Sequence, residues 1–496
     1  MWGTIGIHAI ADDAVAGLEA SARGGDDDRP APHRVRRDRS ADRPADPAPR
    51  RSGRIWAVVA TAAVGAGANL LLGGTLDLFD HPTHAPTAAF ALMMSAALVW
   101  RVALWMRYRP MPAPAERDLP AVSVIMPVFN EGPLVAEAIR AVAQSRYPAD
   151  RLEIIVIDDG SADDSWYHVL RAARDAGDRL RVVTLRHAVN RGKRHALYLG
   201  FSRARGDVLV TIDSDSILDP EALRSGVAPL VGDSRIGCVA GRVRVLNARQ
   251  SVWTRILKCT FSLSFKFVRA YQNEFRGVFC TPGAISFYRA DVVRRVAGEW
   301  VDQRFLGLPC ATGEDRAMTN LFLRDGWLTA YQQDAVVHSN MPTTYAGTCR
   351  MFLRWARSNV RETIILLGFV FSRFRGEYLW SFRANMALVV FSMILTPVLV
   401  AAGAAAAAQG GLALPHVSSL FCVFALPMTM IYAANEKDAD WVWILLYQVI
   451  WVWAFAWIMP YAALTLRNNG WLTRGPRRAA IATPSPAARL SNMAAA

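Results

Sequence analysis

Cysteine is scarce in this sequence. Six of the 496 residues are cysteines, and they are scattered, with no C-x-x-C pair and no histidine at zinc-ligand spacing. This pattern excludes the common zinc modules and a disulfide-rich scaffold. Scattered thiols of this kind are typical of a domain in a reducing compartment.

Two kinds of binding motif are missing as well. There is no G-x-x-x-x-G-K-S/T loop, which argues against a P-loop NTPase. The sequence has no recognisable nucleic-acid-binding motif, so the net charge of +14 does not predict nucleic acid as a partner. Arginines that border apolar runs instead favour the cytoplasmic face of a membrane.

Apolar residues are abundant, at 52% of the chain, but unevenly distributed. Residues 1–52 are rich in Asp, Arg, Pro and Ala and are predicted to be disordered. Ile55 to Leu72 and Thr87 to Trp105 are each near the length needed to cross a bilayer. Because arginines flank the outer ends of this pair and the connector has none, a transmembrane hairpin with both ends in the cytoplasm is predicted.

Apolar segments return in the last third of the chain. Residues 345–375 mix arginines with apolar side chains, which predicts an amphipathic helix on the membrane surface. Three further apolar segments cover Ala387 to Ala407, Leu412 to Ala433 and Trp441 to Leu466. Three crossings would leave the Arg-rich end outside, and the last segment is rich in tryptophan, so this segment is predicted to be interfacial or re-entrant.

These boundaries predict a multi-pass protein of the plasma membrane with its catalytic domain in the cytoplasm. Its parts are a disordered cytoplasmic tail (1–52), two transmembrane helices (53–106), a catalytic α/β domain (119–344), interfacial helices (345–376), transmembrane or re-entrant segments (380–466) and a basic cytoplasmic tail (467–496).

Residues 119–344 alternate short β-branched runs with helical stretches. This alternation predicts a mostly parallel, doubly wound sheet with helices on both faces. The predicted strands are Val122–Met126, Glu153–Ile157, Arg181–Leu185, Asp207–Ile212 and Gly237–Val245. Ligands bind beyond the carboxyl ends of strands in such sheets, and polar clusters occur at those places.

Acidic and amide side chains follow the first two predicted strands. Asn130 and Glu131 follow the first, and Asp158 begins a D-D-G-S turn after the second. Oxygens at these places can accept hydrogen bonds from the base or ribose of a nucleotide. A D-D-G-S turn before a helix is also a common cap, and the turn alone does not decide between the two roles.

The next two clusters carry charge that suits a diphosphate. Lys193 lies in the basic run Asn190 to Arg194 and can meet phosphate oxygens. Asp213 and Asp215 follow the fourth strand, where carboxylates two residues apart can share one hard cation that bridges phosphates. An acidic surface turn would have the same local sequence.

The last two clusters lie further along the chain. Gly313-Glu314-Asp315-Arg316 opens a predicted helix that extends to Leu323. Its acid can serve as the base for an attacking hydroxyl, or it can cap the helix through the helix dipole. Arg354 and Trp355 offer a cation for phosphate and an aromatic face for a sugar ring, although an ordinary interfacial pair has the same composition.

The order of these clusters resembles that of the processive family-2 glycosyltransferases, especially hyaluronan synthases, nodulation-type chitooligosaccharide synthases and chitin synthases. The similarity covers about residues 122–474. It includes the R-W of the family's Q-x-x-R-W motif and a W-G-T-R-like element at Trp471 to Arg474. The resemblance implies a GT-A-type fold embedded between transmembrane and interfacial helices.

The resemblance also implies roles for the matching residues. Asp315 is the implied catalytic base, and Asp213 with Asp215 is the implied D-x-D site for Mg²⁺ or Mn²⁺. The predicted donor contacts are Asn130, Glu131, Asp158, Lys193, Asp213 and Arg354, of which the last four match the family's motifs. The implied acceptor contacts are Cys280, Gly283, Arg316 and Trp355, of which the first two lie in a segment similar to C-x-S-G-P-L-S-x-Y-R.

Two departures from the family's motifs leave the identity of the polymer open. Met351 stands where the family has Gln, and Thr281-Pro282-Gly283-Ala284 replaces the usual pattern around Ser-Gly-Pro. The charged residues that the displacement needs are all retained.

The implied function is an inverting hexosyl transfer. An acceptor hydroxyl attacks the anomeric carbon of UDP-GlcNAc or UDP-glucuronate, UDP departs, and a β-linked polysaccharide grows and is exported through the bilayer. One alternative is a non-processive transferase that acts on a membrane lipid. A second alternative, an inactive membrane scaffold or transporter, is disfavoured because Asp213, Asp215 and Asp315 are all present.

Overall fold

The computed structural model describes residues 85–408, 426–436, 438–450 and 454–468. The predicted tail of residues 1–52, the apolar segment of residues 55–72 and the element at residues 471–474 lie outside the described residues, as do residues 409–425 and 469–496. Within the described residues, no helix is both long enough and apolar enough to span a bilayer. Membrane crossing therefore stays a prediction.

The described part of the chain folds into a sheet that is flanked by helices. The strands are β1 (Val122–Val128), β2 (Leu152–Asp158), β3 (Arg181–Arg186), β4 (Val208–Ile212), β5 (Ser216–Leu218), β6 (Ile236–Val245), β7 (Ile285–Arg289), β8 (Arg304–Phe305), β9 (Leu308–Pro309) and β10 (Leu328–Ser339). The α-helices are α1 (Ala85–Arg107), α2 (Leu134–Ala143), α3 (Ser165–Gly177), α4 (Lys193–Arg203), α5 (Ala222–Gly232), α6 (Val252–Ser262), α7 (Ala270–Asn273), α8 (Ala290–Val301), α9 (Glu314–Arg324), α10 (Tyr345–Val370), α11 (Leu379–Ala408), α12 (Val442–Ile450) and α13 (Ile458–Leu464). Residues 426–435 are also helical, and a π-helical segment, Leu263–Arg269, joins α6 to α7.

The main sheet has the strand order β3-β2-β1-β4-β7-β6-β10-β5. The first four strands in this order pair in parallel, as do β6 and β10. β7 runs antiparallel to both β4 and β6, and β5 runs antiparallel to β10. The five predicted strands are confirmed as β1 to β4 and β6, and the sheet is mixed because β7 and β5 enter it in the opposite direction.

Helices cover both faces of the sheet, as the doubly wound prediction requires. Val124 and Met126 of β1 pack in one core cluster with Ile139 of α2. Ile125, between them in sequence, packs in a second cluster with Leu197 of α4. Successive side chains of a strand point to opposite faces. A strand that is buried on both faces therefore needs an apolar run, and Val124, Ile125 and Met126 supply it in β1.

The helix α10 packs against α9 and α13. It covers most of the segment that was predicted to lie along a membrane surface. Arg361 and Arg375 of this segment are buried, with exposed fractions of 2% and 6%, and both donate to backbone carbonyls of the protein. The surface position stays a prediction, but these two arginines do not contribute to it.

A glycine in α5 tests how this helix packs on the sheet. A Cβ on Gly226 would come within 1.9 Å of the buried Phe287 ring of β7. We expect Gly226→Ala to lower the Tm of the purified protein, because overpacking a core costs about 1–3 kcal/mol. Gly298→Ala in α8 is the matched control. A Cβ there meets nothing within 4 Å, and alanine favours a helix over glycine by about 1 kcal/mol. Equal changes in Tm would contradict the packing of α5 on β7.

Candidate active site

Asn130 and Glu131 fasten the loop after β1 to its neighbours. The Asn130 N–H donates to Ser161 Oγ (3.0 Å), and Asn130 Oδ1 accepts from the Ala162 N–H (2.9 Å). Glu131 Oε1 accepts from Ser214 Oγ (3.2 Å). The two residues thus join the loops that follow β1, β2 and β4. Direct contact of either residue with the nucleotide-sugar donor stays a prediction.

Asp158 ends β2 and is fully buried. Arg186, at the end of the neighbouring β3, brings its Nε within 2.8 Å of Asp158 Oδ2 and lies over the Trp166 ring. Burial raises the pKa of Asp158, while hydrogen bonds from Ser161 and the charge of Arg186 oppose that rise. Asp158, a predicted contact for the nucleotide-sugar donor, is therefore a buried carboxyl group that its ion pair with Arg186 holds in place.

A cavity of about 410 Å³ opens beside this pair of residues. Its lining consists of Gly160, Ser161, Arg186, His187 and Ala188. Gly160 has a φ of 72°, and a Cβ there would come within 2.7 Å of the backbone at Val189 and Asn190, so the close approach of the two loops requires glycine. The cavity lies beyond the carboxyl ends of β2 and β3, where ligands bind in such sheets, and its volume suits a small ligand.

Asp159 shapes the loop that leads to Lys193. Its Oδ1 accepts from the Arg191 N–H (2.9 Å) and lies 2.7 Å from His187 Nδ1. Its Oδ2 accepts from the Gly192 N–H (2.7 Å). Because Asp159 is buried, these bonds fix the path of the chain into the first turn of α4.

The ammonium of Lys193 lies between two carboxylates. Lys193 Nζ is 2.5 Å from Asp213 Oδ1 and 3.1 Å from Glu314 Oε1. A Cβ on Gly283 would lie 3.0 Å from that ammonium, 3.8 Å from Glu314 Oε1 and 4.0 Å from Asp213 Oδ2. Burial by itself would lower the pKa of Lys193, but the two carboxylates hold that pKa above its usual range. The predicted residues Lys193, Asp213 and Gly283 are thus brought together, and Glu314 joins them.

Asp315 faces the same place from the first turn of α9. Its Oδ2 accepts from the Gly283 N–H (3.3 Å) and lies 3.6 Å from Cys280 Sγ. Burial, followed by the negative charge of Glu314, raises the pKa of Asp315. Burial also acts against the charge on Glu314, but Lys193 outweighs it and lowers the pKa of Glu314. Of the two adjacent carboxyl groups, Glu314 is the ion-pair partner and Asp315 is the stronger base.

Asp213 and Asp215 follow β4 as partly exposed residues, and Asp213 is the one that contacts Lys193. Mg²⁺ in nucleotide sites is usually bound by one or two carboxylates together with phosphate oxygens and water. Asp213, beside the Lys193 ammonium, and Asp215, two residues later, are carboxylates of the kind that such a site needs, with the remaining ligands supplied by a diphosphate. No group of three His, Cys, Asp or Glu side chains in the described part of the chain is arranged to hold a metal ion by itself.

Arg354 and Trp355 lie on α10, and an acceptor contact for Trp355 stays a prediction. The positive charge of Arg354 contributes to the lowered pKa of Glu314, after the larger effect of Lys193. The Trp355 ring lies 5.9 Å from the rings of Phe261 and Phe352. The predicted phosphate contact of Arg354 is therefore compatible with its position near Glu314.

Arg316 joins α9 to α10. Its Nη1 donates to Asn359 Oδ1 (2.6 Å), and its Nη2 donates to Thr363 Oγ1 (2.8 Å). Because the side chain is buried between the two helices, these bonds account for its position. An acceptor contact for Arg316 stays a prediction that the geometry does not favour.

The sequence matches a known family and curated relatives. The family described as Glycosyltransferase like family 2 matches residues 120–358. An N-acetylglucosaminyltransferase of Rhizobium meliloti (strain 1021) is 32% identical over 298 residues, which are 58% of this chain and 68% of the relative. An N-acetylglucosaminyltransferase of Rhizobium sp. (strain N33) is 29% identical over 377 residues, which are 74% of this chain and 81% of the relative. The chain belongs to glycosyltransferase family 2.

The fold of this glycosyltransferase is also similar to a solved structure. A mannosyltransferase from Pyrobaculum calidifontis, in complex with GDP-Man and Mn²⁺, aligns with a TM-score of 0.52 and 22% identity, over 80% of this chain and 98% of that one. At this identity the similarity shows the fold alone. The predictions of a glycosyltransferase and of a GT-A-like α/β fold are confirmed.

Three residues of the glycosyltransferase site were not predicted from the sequence: Asp159, Arg186 and Glu314. Glu314 and Asp159 each lie beside a predicted residue in an acidic pair, and the pairing was the available signal. Arg186 directly follows the predicted strand Arg181–Leu185, but its contact with Asp158 depends on the alignment of β2 with β3.

Glu314→Gln should shift the pH dependence of transfer. A base must be ionised to act, so transfer is lost as the pH falls through the pKa of Asp315. Glu314 raises that pKa, and its neutralisation should move the acidic limb of the kcat–pH profile to lower pH. An unmoved limb, or one at higher pH, would contradict the assignment of Asp315 as the base. Glu299→Gln, which removes a carboxylate in an exposed ion pair with Arg324, is the control.

Proposed function

We propose that this glycosyltransferase transfers N-acetylglucosamine from UDP-GlcNAc to a growing β-linked saccharide by a single inverting displacement, in the manner of hyaluronan and chitooligosaccharide synthases. The convergence of Lys193, Asp213, Glu314 and Asp315 around Gly283 carries the proposal. The names of the relatives support the choice of N-acetylglucosamine. UDP-glucuronate is the second candidate donor.

The residues of the site divide the reaction between them. Asp315 takes the proton of the attacking hydroxyl, and a positioned base of this kind typically contributes about 10²–10⁴-fold to the rate. Lys193 and Arg354 bind the diphosphate and oppose the charge that develops on the leaving group. A preorganised contact of this kind contributes on the order of 3 kcal/mol.

The nucleotide lies between the cavity and the lysine in this proposal. Asp158 and the loop at Gly160 hold the uridine, and the chain from Asp159 to Lys193 leads to the diphosphate. A bound Mg²⁺ or Mn²⁺ ion at Asp213 and Asp215 would neutralise phosphate charge. Cys280 and Trp355 lie on the acceptor side.

We further propose that the enzyme acts at the cytoplasmic face of the plasma membrane and extrudes its product. The contacts of the last apolar segment support an interfacial course for that segment. Tyr345 Oη donates to the Ala454 carbonyl (2.7 Å), and Arg357 Nε donates to Thr465 Oγ1 (3.1 Å). Because both bonds reach the same helix, α10, this segment returns to the helix that directly follows the catalytic domain.

Product analysis tests the proposed function. The full chain should form a polymer from UDP-GlcNAc alone, or from UDP-GlcNAc and UDP-glucuronate together, and chelation of divalent cations should stop the reaction. Radiolabelled donors, offered singly and in pairs, followed by sizing of the product, provide the measurement. A product that carries one added sugar on a lipid would establish the non-processive alternative.

Asp315→Asn tests the proposed base. The variant should lose transfer by at least about 10²-fold, because asparagine cannot take a proton. UDP should still bind, since Asp158 and Lys193 are unchanged, and isothermal titration with UDP measures this binding. Asp291→Asn, an exposed change in α8, is the control. Full transfer by the Asp315→Asn enzyme would refute the assignment.

A further inference from the structure

A buried ion pair lies on α10, the helix that carries Arg354 and Trp355. Arg361 Nε is 3.0 Å from Glu362 Oε1, and the two residues have exposed fractions of 2% and 0%. Charges buried this deeply cost free energy unless every partner is in place. The partners of this pair belong to other parts of the site.

Glu362 joins three helices. Its Oε2 accepts from Asn320 Nδ2 of α9 (3.1 Å), and its Oε1 accepts from Gln303 Nε2, just after α8 (3.3 Å). Gln303 Oε1 in turn accepts from Arg194 Nη1 (2.9 Å), and Arg194 follows Lys193 in α4. The Glu362 carboxylate thus connects its own helix α10, which carries the R-W motif, to α9, which carries Asp315. Through Gln303 it is also connected to α4, which begins with Lys193.

Arg361 reaches the turn that precedes Asp315. Its Nη2 donates to the Thr312 carbonyl. The next residue, Gly313, has a φ of 74°, and a Cβ there would lie 2.8 Å from Arg361 Nη2 and 2.5 Å from Ser358 Cβ. The turn therefore rests directly on α10, with a glycine at the contact. On its other side, Trp300 Nε1 donates to the Glu314 carbonyl (2.8 Å).

We propose that Glu362 is a positioning residue for the transfer reaction. By orienting Arg361 and binding Asn320, it fixes the turn of Thr312 to Asp315 against α10. Asp315 is thereby held at a set distance from the residues of α10 that meet the diphosphate and the acceptor. The inference rests on the proposed role of Asp315.

A pair of variants can separate a positioning role of Glu362 from a role in stability alone. Glu362→Gln leaves the Arg361 charge buried without its counter-charge, so a loss of activity could come from unfolding. The double variant Arg361→Met/Glu362→Gln removes both charges, and replacing both partners of a buried pair is often neutral for stability. It still lacks the bond to the Thr312 carbonyl.

The experiment measures Tm, kcat, the KM for UDP-sugar and UDP binding on the full chain. The double variant should regain most of the Tm lost in Glu362→Gln, yet its kcat should stay about tenfold or more below that of the wild type, because small misplacements of catalytic groups carry penalties of this size. Its KM for the donor and its UDP affinity should stay within about threefold, because Asp158, Lys193 and Asp213 are unchanged. Glu299→Gln, which breaks an exposed ion pair to α9, should leave all four quantities unchanged.

Two results would overturn the inference. If kcat recovers together with Tm in the double variant, Glu362 contributes only to stability. Parallel losses of kcat and UDP affinity would lead to the same conclusion. A wild-type chain that transfers no sugar from any UDP-sugar would instead overturn the proposed function, so the two failures are distinguishable.

Discussion

The ammonium of Lys193 is the contact on which the site depends. It lies within 3.1 Å of carboxylates from two other elements, Asp213 after β4 and Glu314 in α9. Without that charge, two buried or half-buried carboxylates would face each other across Gly283, and one of them would have to take up a proton or move away. The ion pairs therefore hold α4, the end of β4 and the start of α9 together. They also keep in one place the groups that the proposed diphosphate and cation would need.

The same ammonium separates the behaviour of two neighbouring acids. Glu314 pairs with it directly and has a lowered pKa, whereas Asp315 bonds the Gly283 N–H and has a raised pKa. Adjacent carboxyl groups whose environments drive their pKa values apart take different chemical roles. The sequence Glu314-Asp315 could not assign those roles, because both acids occupy the first turn of one helix and either could cap it. The assignment follows from which oxygen meets Lys193.

The sequence predicted those parts of the fold and site that depend on neighbours along the chain. Short β-branched runs that alternate with helical stretches located β1 to β4 and β6. The ends of the predicted strands located Asp158, Asp213 and Asp215, because parallel strands bring their carboxyl ends to one edge. It did not predict the antiparallel entry of β7 or the contact of Arg186 with Asp158. Both depend on which strands pair, and the local periodicity of a sequence does not specify the order of strands in a sheet. Glu362 was missed for a similar reason, since its partners Gln303 and Asn320 are remote in sequence.

Arginines in an amphipathic segment do not all have the same partner. Arg361 and Arg375 are buried and donate to carbonyls of the protein, whereas Arg350 and Arg373 are exposed. A guanidinium that is bound to buried carbonyls is not available to a lipid phosphate, so a count of positive charge along residues 345–375 overstates the attraction of this segment to an anionic membrane. Two exposed aromatic residues lie near the exposed Arg373 in the chain: Phe371, 77% exposed, two residues before it, and Trp380, 80% exposed, seven residues after it. Aromatic rings beside a free arginine are the pattern that suits a membrane interface, so the junction of α10 and α11 meets that requirement better than the middle of α10.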